Sequence, residues 1–328
     1  MRLSVLDTSP IVHGSTPRRA LRNTVDLAVL ADRLGYHRYW VPEHHGMRGV
    51  ASSAPAVLVG HLANATSRLR VGAGGVLLPN HAPIVVAEQF GTLAALHPGR
   101  IDLGIGRAPG GSPRVVEAVR AEAARNAKTF RAQVEELRGH FAEDTQAIPV
   151  LGGNVPPMWL LGSSADSGRL AGELGLPYAF AHHLNPAGAA EAIRAYDDSF
   201  RPSTPDATPT TLVSVSVIAA DDDERAEWLA GSTRLKVLSR VRGSRILLPS
   251  PEDAADYPYT GDDRAEIAAR SGSVLTGSTD TVAKLLRAVV DDTGTGEIMA
   301  TTPVYRHADR LRSYELLATT TPAGGCSG

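Results

Sequence analysis

The chain has 328 residues, of which 43% are hydrophobic and 21% are charged, and its formal net charge is −2. This composition is typical of a globular protein with a sizeable core, and the near-neutral charge gives no reason to expect nucleic acid or an anionic membrane as a partner. The single cysteine, Cys326, excludes a disulfide framework and a cysteine-based zinc site. The first residues lack the apolar core of a signal peptide, and no uncharged run is long enough to span a membrane. We therefore expect a cytoplasmic protein.

Strands and helices alternate along nearly the whole chain. Thr16-Pro17 has the pattern of a helix start, and Gly35 has that of a helix end. Eight short apolar segments, each followed by a helical pattern, are interpreted as strands: 3–6, 38–41, 69–78, 101–105, 158–162, 178–182, 211–219 and 297–301. Eight successive strand–helix pairs predict the α/β class and a (β/α)₈ TIM barrel rather than a doubly wound sheet.

The largest irregular segment, 232–276, is predicted to be an insertion between strands seven and eight. In a barrel such an insertion lies over the C-terminal mouth, so we expect it to be a lid; a decorative surface excursion is the alternative. Neither an interdomain linker nor an internal repeat is visible. We therefore predict a single domain over 1–320, followed by a flexible tail at 321–328.

Glycines interrupt the third predicted strand. Gly72, Gly74 and Gly75 lie among apolar, β-branched residues, and glycine weakens a strand unless another backbone or a ligand must come close. The Gly74-Gly75 pair therefore has two interpretations. It is either a packing bulge or a floor on which a flat ligand can lie.

Polar residues follow most of the predicted strands, and in a barrel such residues meet at one face and form the site. They are Asp7, Glu43, His44, His45, Asn80, His81, Arg107, Ser163, Ser164, Ser167, His182 and His183. Ser163 and Ser164 stand where a helix begins, which favours phosphate binding, and Ser167 lies one turn further along. In the phosphate-binding interpretation, the guanidinium of Arg107 adds a charged contact that can donate two hydrogen bonds to the phosphate. Plain helix capping is the alternative for the serines.

The histidines are interpreted as acids, bases or structural hydrogen-bond partners. No HExxH pattern is present, so a metal site is not expected. Adjacent residues of an extended segment face opposite ways, so at most one of His44 and His45 points inward. The sequence GIGRAPGG fails the dinucleotide pattern, because Pro109 occupies the sixth position. No nicotinamide site is therefore predicted. If the reaction needs a hydride, its source has to be something other than a nicotinamide bound to this chain.

Taken together, these motifs resemble those of the bacterial luciferase-like, flavin-dependent monooxygenases, over essentially the full length of the chain. The matching stretches include GYHRYWVPEHHG, RLRVGAGGVLLPNHAPIVVAEQ and PMWLLGSSADSGRLAGELGLPYAFA. The chain is most similar to the group 1 luciferase family oxidoreductases. That subgroup includes oxygenases that tailor aromatic polyketides, such as the epoxidase of mensacarcin biosynthesis.

The resemblance implies a (β/α)₈ barrel and a two-component monooxygenase that uses FMN. Reduced FMN (FMNH₂) would be delivered by a separate NAD(P)H:flavin reductase, and O₂ would add at the flavin C4a carbon. The resulting peroxyflavin would hydroxylate or epoxidise an organic substrate, for which an aromatic polyketide is a candidate. The resemblance also implies a homodimer formed through the helices after strands two and three.

The resemblance further assigns roles to individual residues. It implies a non-prolyl cis peptide at Gly74-Gly75 beneath the isoalloxazine ring, with His44 near the reactive edge of the flavin. The phosphate-binding positions that it implies are Arg107, Ser163, Ser164 and Ser167. The pocket candidates are Asp7, Trp40, His45 and His182.

One departure from the family pattern limits what the resemblance implies. The family luciferases carry a reactive cysteine where this chain has Gly106, so light emission from aldehydes is not expected. Two alternatives stay open: a deazaflavin-dependent dehydrogenase of the same superfamily, and a non-catalytic flavin-binding barrel.

Overall fold

The computed structural model describes residues 1–108, 111, 113–120, 129–142, 152–270 and 274–320. The strands are β1 (Arg2–Leu6), β2 (Arg38–Val41), β3 (Arg70–Leu77), β4 (Ile101–Gly106), β5 (Met158–Gly162), β6 (Tyr178–Phe180), β7 (Thr211–Ala220), β8 (Val274–Ser278) and β9 (Glu297–Thr301). The helices are α1 (Pro17–Leu34), α2 (Pro55–Ala65), α3 (Pro83–Leu96), α4 (Pro113–Arg120), α5 (Phe130–His140), α6 (Ala165–Glu173), α7 (Ala189–Ser199), α8 (Asp223–Val241), α9 (Pro251–Ala255), α10 (Gly261–Arg270), α11 (Thr279–Thr293) and α12 (His307–Ala318).

Eight parallel strands close into a ring in the order β1-β2-β3-β4-β5-β6-β7-β9, and β9 pairs back onto β1. The predicted TIM barrel is therefore confirmed. A ninth strand, β8, lies outside the ring and pairs only with the second half of β7, from Ser216↔Val274 to Ala220↔Ser278. The sequence did not predict β8, and the predicted strand 178–182 ends two residues earlier in the structure, at Phe180.

The segment 232–276 is not irregular, and that part of the prediction is wrong. Its first ten residues continue α8, its middle contains α9 and α10, and its end lies in β8. Leu235 and Leu238 keep α8 regular because both are buried, and they pack with Ala254 of α9. Whether the segment acts as a lid stays a prediction.

The helix signals in the sequence have their expected structural effect. Thr16 caps α1 by accepting a hydrogen bond from the N–H of Arg19 (3.3 Å), and Gly35 ends α1 in the left-handed conformation (φ 79°). Apolar helix faces pack on the outside of the ring, where residues such as Leu27, Phe90 and Tyr314 are fully buried. Among the described helices, none has the length and apolar character needed to cross a bilayer.

The N-terminal end of the barrel interior is closed by buried charges. Arg38 donates to Asp102 (2.8 Å) and to Glu297 (2.7 Å), and all three side chains are nearly inaccessible to solvent. Above them, the rings of Trp40 and Trp159 meet edge to face with their centroids 5.6 Å apart. The barrel is therefore filled from below, and a ligand can enter only from the C-terminal mouth.

Candidate active site

Glu43 links the segment after β2 to the segment after β3. Its buried carboxylate accepts hydrogen bonds from Nε2 of His45 (2.6 Å), Nε2 of His81 (2.9 Å) and the backbone N–H of Leu77 (2.9 Å). Burial alone would raise the pKa of Glu43, but the hydrogen bonds and the charge of His81 hold that pKa below its ordinary value. Glu43 thereby fixes the segment that carries His44. It is also the hydrogen-bond partner of His45, whose pocket role stays a prediction.

His44 is half-buried and has a free nitrogen. Its backbone N–H donates to the carbonyl of Ser52 (3.0 Å), while its Nδ1 atom is buried and has no hydrogen-bond partner among the described residues. Burial lowers the pKa of His44; the negative charge of Glu43 opposes this effect and the neighbouring His45 adds to it. The imidazole is therefore neutral at neutral pH, and Nδ1 can serve a bound ligand.

The two histidines after β6 have different surroundings. His182 interacts electrostatically with Asp292 of α11, which packs outside the barrel. His183 instead lies close enough to His44 for a charge there to lower its pKa, and its Nδ1 atom is held by the carbonyl (3.2 Å) and hydroxyl (3.0 Å) of Ser214. These contacts favour His183 over His182 as the residue that borders the mouth.

The peptide bond between Gly74 and Gly75 is cis, as the family resemblance implied. The pairing of β3 with β4 shifts register between Ala73 and Val76, so the glycine pair also forms the irregularity expected of a bulge. A Cβ added at Gly74 would lie 3.0 Å from Cβ of Trp40, and one added at Gly75 would lie 2.7 Å from the carbonyl oxygen of Gly104. Glycine is needed here because neighbouring atoms occupy the space of a side chain.

The serines after β5 form a helix cap. Ser164 and Ser167 make a reciprocal capping box at the start of α6, and the hydroxyl of Ser167 also contacts the Tyr178 hydroxyl (2.8 Å). The capping alternative is therefore present in the structure. Capping leaves the first backbone N–H groups of α6 without intrahelical acceptors, so an anion can still bind there.

Arg107 directly follows β4, the hydrogen-bonded neighbour of β5. Its side chain is exposed and makes no ion pair with any residue that the structure describes. Ser163, at the end of β5, accepts a hydrogen bond on its carbonyl from the side chain of Asn185 (2.9 Å), which orders the start of the turn. The Arg107 guanidinium and the N-terminus of α6 thus follow two adjacent strands, β4 and β5. The residues 109, 110 and 112 of the Gly-rich loop lie outside the described part of the chain.

Two further pocket candidates are buried structural residues. Asp7 has no exposed surface and accepts hydrogen bonds from the backbone N–H of Ser9 (2.7 Å), the Tyr39 hydroxyl and the Arg310 guanidinium. Burial would raise the pKa of Asp7, but Arg310 and the hydrogen bonds hold it below its ordinary value. Trp40 is equally buried, and its indole N–H donates to Asp102 at the closed end of the barrel. Both side chains are therefore buried and hydrogen-bonded to other residues of the chain, and their pocket roles stay predictions.

Part of the segment 232–276 returns to the loops that surround the mouth. Leu248 forms a β-bridge with Val12 in the loop after β1, and the N–H of Ile11 in that loop donates to the carbonyl of Gly49 in the loop after β2 (3.0 Å). The remainder, α9 and α10, packs against α8 and borders a cavity of about 470 Å³ that lies away from the mouth. The segment also contacts the loop after β9, where Thr233 donates to the carbonyl of Pro303 (2.6 Å) and Glu252 of α9 pairs with Arg306 (2.6 Å). In the described residues, no group of three or more metal-binding side chains is present.

The comparisons with known proteins agree on the family. The sequence model of the luciferase-like monooxygenase family matches residues 1–314. YvbT, an uncharacterised protein of Bacillus subtilis (strain 168), is 46% identical over 96% of this chain and 95% of its own length. A luciferase-like monooxygenase of Escherichia coli (strain K12) is 41% identical, with 95% of each chain covered. The crystal structure of apo-MsnO8 superposes with a TM-score of 0.89 at 37% identity, covering 98% of this chain and 99% of that one.

More distant solved structures share the fold but differ in cofactor. The oxygenating constituent of 3,6-diketocamphane monooxygenase in complex with FMN is 20% identical, with a TM-score of 0.71. An F420-dependent secondary alcohol dehydrogenase is 13% identical, with a TM-score of 0.67. At these identities the likeness concerns the barrel alone, so the cofactor has to be argued from the site of this chain.

Proposed function

Because the chain belongs to the luciferase-like monooxygenase family, we propose that it is a two-component oxygenase that uses FMNH₂ and O₂ to hydroxylate or epoxidise an organic substrate. The chain is an enzyme of the monooxygenase type. The proposal concerns the cofactor, the delivery of reduced flavin by a separate NAD(P)H:flavin reductase, and the reaction. The observation that carries it is that Arg107, an exposed arginine without an ion pair to any described residue, follows β4, while the N-terminus of α6 follows the neighbouring strand β5.

The residues at the mouth fit a flavin mononucleotide. Gly74 and Gly75 form the irregularity in β3, and Gly106 ends the adjacent strand β4. We infer that a flat ring would lie against this backbone on the side away from Trp40 and Gly104, whose atoms fill the side-chain positions of the glycine pair. Arg107 and the backbone N–H groups that begin α6 would hold the phosphate, with Ser163 beside them. The serines that form the capping box would order these N–H groups. When bound, reduced FMN supplies the electrons that activate O₂.

His44 and Glu43 would act on the reacting end of the ligand. Glu43 fixes the backbone around His44, so the imidazole does not need to be ordered when the ligand binds. The His44 imidazole, whose buried Nδ1 atom has no partner among the described residues, would then hold or move a proton at the reacting end of the ligand. The closed, apolar barrel interior below the mouth excludes water from that side.

We also propose that the enzyme is a homodimer formed through α2 and α3. These helices carry exposed apolar side chains, of which Val57 (76% exposed) and Leu96 (68% exposed) are the most accessible, together with Ile84 and Val85. Exposed apolar residues on two packed helices are expected at an interface between subunits. Light scattering on a size-exclusion column tests this: a monomer at micromolar concentration would contradict it.

The function is tested with purified protein and chemically reduced FMN. We expect FMNH₂ to bind and an oxygenated product to form from a panel of hydroxylated aromatic compounds. His44→Ala should retain flavin binding but release hydrogen peroxide in place of product. Preferential binding of deazaflavin F420, with no oxygen-dependent product, would replace the proposal by the dehydrogenase alternative. Binding of FMNH₂ with no product from any substrate, and the same peroxide release in wild type and His44→Ala, would favour a flavin-binding protein.

The phosphate site is tested separately. Arg107→Ala should weaken the binding of FMN by about tenfold, because a charge-assisted hydrogen bond contributes about 1.5–3 kcal/mol. Riboflavin lacks the phosphate, so its affinity should be nearly unchanged in the variant. Arg114→Ala is the matched control, since Arg114 is an exposed arginine of α4 and has no role in the proposal. Equal losses for FMN and riboflavin would remove Arg107 from the phosphate site.

A further inference from the structure

His183 faces His44 from the opposite wall of the barrel mouth. In the ring, β2 and β6 are separated by four of the eight steps, so the residues that follow them lie on opposite sides of the opening. Leu212, two residues before Ser214 in β7, belongs to the apolar cluster inside the barrel, as does Met299, which pairs with Ser214. The Ser214 side chain therefore lies on the interior face of β7, and His183, which contacts it, lies at the same opening. The charge of His44 also lowers the pKa of His183, which agrees with this position. His183 has no part in the function proposed above, although it borders the same space.

Ser214 fixes both the orientation and the tautomer of His183. The Nδ1 atom of His183 lies 3.2 Å from the carbonyl oxygen of Ser214, and the backbone N–H of His183 donates to the same carbonyl (3.0 Å). The Ser214 hydroxyl also lies 3.0 Å from Nδ1 and donates to the carbonyl of Phe180 (3.3 Å). A carbonyl oxygen can only accept, so the proton of the neutral ring is on Nδ1. Nε2 therefore carries the lone pair, and no described residue hydrogen-bonds to it.

The surroundings keep this imidazole neutral. Burial lowers the pKa of His183; the hydrogen bond to Ser214 opposes this effect, and the charges of His182 and His44 add to it. A neutral ring with a bare Nε2 atom is a hydrogen-bond acceptor. The proposed flavin-binding residues follow β3, β4 and β5, so an acceptor after β6 borders the space that remains for the substrate.

We propose that Nε2 of His183 accepts a hydrogen bond from a hydroxyl group of the substrate, and that the substrates are therefore phenols or enols. This rests on the proposed function for its catalytic meaning. When the hydroxyl proton passes to Nε2, the bonding electron pair stays on the substrate oxygen and enriches the ring in electrons. The imidazolium then returns the proton to solvent. An electron-rich ring is the form of the substrate that is most readily attacked by an electrophilic oxygen.

The first test measures His183 alone, without any cofactor. Long-range ¹H–¹⁵N NMR spectra of histidine-labelled protein should show His183 protonated on Nδ1 and bare on Nε2. In His44→Ala the pKa of His183 should rise, because His44 becomes positively charged in the same acidic range in the wild type and that charge is absent from the variant. A proton on Nε2, or an unchanged pKa in His44→Ala, would overturn the pairing whether or not the protein is an oxygenase.

The second test measures binding by calorimetry in the presence of FMN, with 1-naphthol as the probe and its methyl ether as the control ligand. His183→Asn can keep an amide donor towards Ser214 but has no atom at the position of Nε2, and we expect it to bind 1-naphthol about fivefold to tenfold more weakly. His182→Asn should bind 1-naphthol like the wild type, and 1-methoxynaphthalene should bind all three proteins alike. Equal binding of 1-naphthol to wild type and His183→Asn would overturn the proposal, as would a failure of the wild type to bind it. Failure of FMN to bind would instead overturn the proposed function and leave the NMR result standing.

Discussion

Gly72 provides a direct test of how closely β3 and β4 pack. Gly72 is paired with Asp102, and a Cβ added to it would lie 2.6 Å from the Asp102 carbonyl oxygen and 2.9 Å from Nε1 of Trp40. Unbonded carbon and oxygen atoms stay about 3.3 Å apart, so Gly72→Ala must separate them by roughly 0.7 Å. Overpacking of this kind costs about 1–3 kcal/mol, and displacement of Trp40 weakens its hydrogen bond to Asp102. We expect a loss of about 3 kcal/mol.

The assay is thermal unfolding followed by circular dichroism. An unfolding entropy of about 2.1 cal/mol/K per residue, applied to 328 residues, gives a Tm change of about 1.5 °C per kcal/mol. Gly72→Ala should therefore lower Tm by about 4 °C. Gly106→Ala is the matched control, because its Cβ would lie 3.6 Å from Leu77, an ordinary contact, and Tm should change by less than about 1 °C. Equal Tm values for the two variants would refute the argument that space, rather than backbone conformation, requires glycine at position 72.

Further predictions concern the buried charges and the cap of α6. The lowered pKa of Glu43 means that its carboxylate stabilises the fold above its ordinary pKa of 4.5, and that this contribution is lost as the pH falls through the lowered value. Urea unfolding at several pH values should thus show a steeper acid decline for the wild type than for Glu43→Gln, and parallel curves would contradict this. Arg310→Met leaves Asp7 buried and unpaired and should cost about 3–5 kcal/mol, whereas Arg312→Met, at an exposed ion pair, should cost under about 1 kcal/mol; similar losses in urea would refute the distinction. Ser164→Ala should cost about 1 kcal/mol through loss of the cap, and an unchanged urea midpoint would show that the cap is dispensable.

The sequence predicts the barrel because its strands are continuous apolar segments, and such segments are required where both faces of a strand are buried. The sequence does not predict β8, because VLTGS is short and half polar. This strand lies outside the ring and pairs with β7. The end of α8 was also missed, because Leu235 and Leu238 are stabilised by packing against the later helix α9, which local patterns do not reveal.

The sequence predicts which residues lie near the mouth, but not which atoms are free there. Asp7 is neutralised by Arg310, a partner 303 positions away along the chain, and only the folded structure brings the two together. Likewise, Ser214 of β7 fixes His183 rather than His182, and local patterns do not reveal a partner 31 positions away. The structural role of Glu43 follows from its burial, since a buried carboxylate needs several donors, and the sequence does not show that burial.

The ion pairs of Arg38 with Asp102 and Glu297 make the barrel a well with a sealed bottom. A site with one opening imposes an order of binding, because the ligand that binds deeper has to bind first and dissociate last. Reduced flavin lying against Gly74 and Gly75 would be the deeper one. Under the proposed function, the reductase would therefore deliver FMNH₂ before the substrate binds, and steady-state kinetics should show a compulsory order of addition.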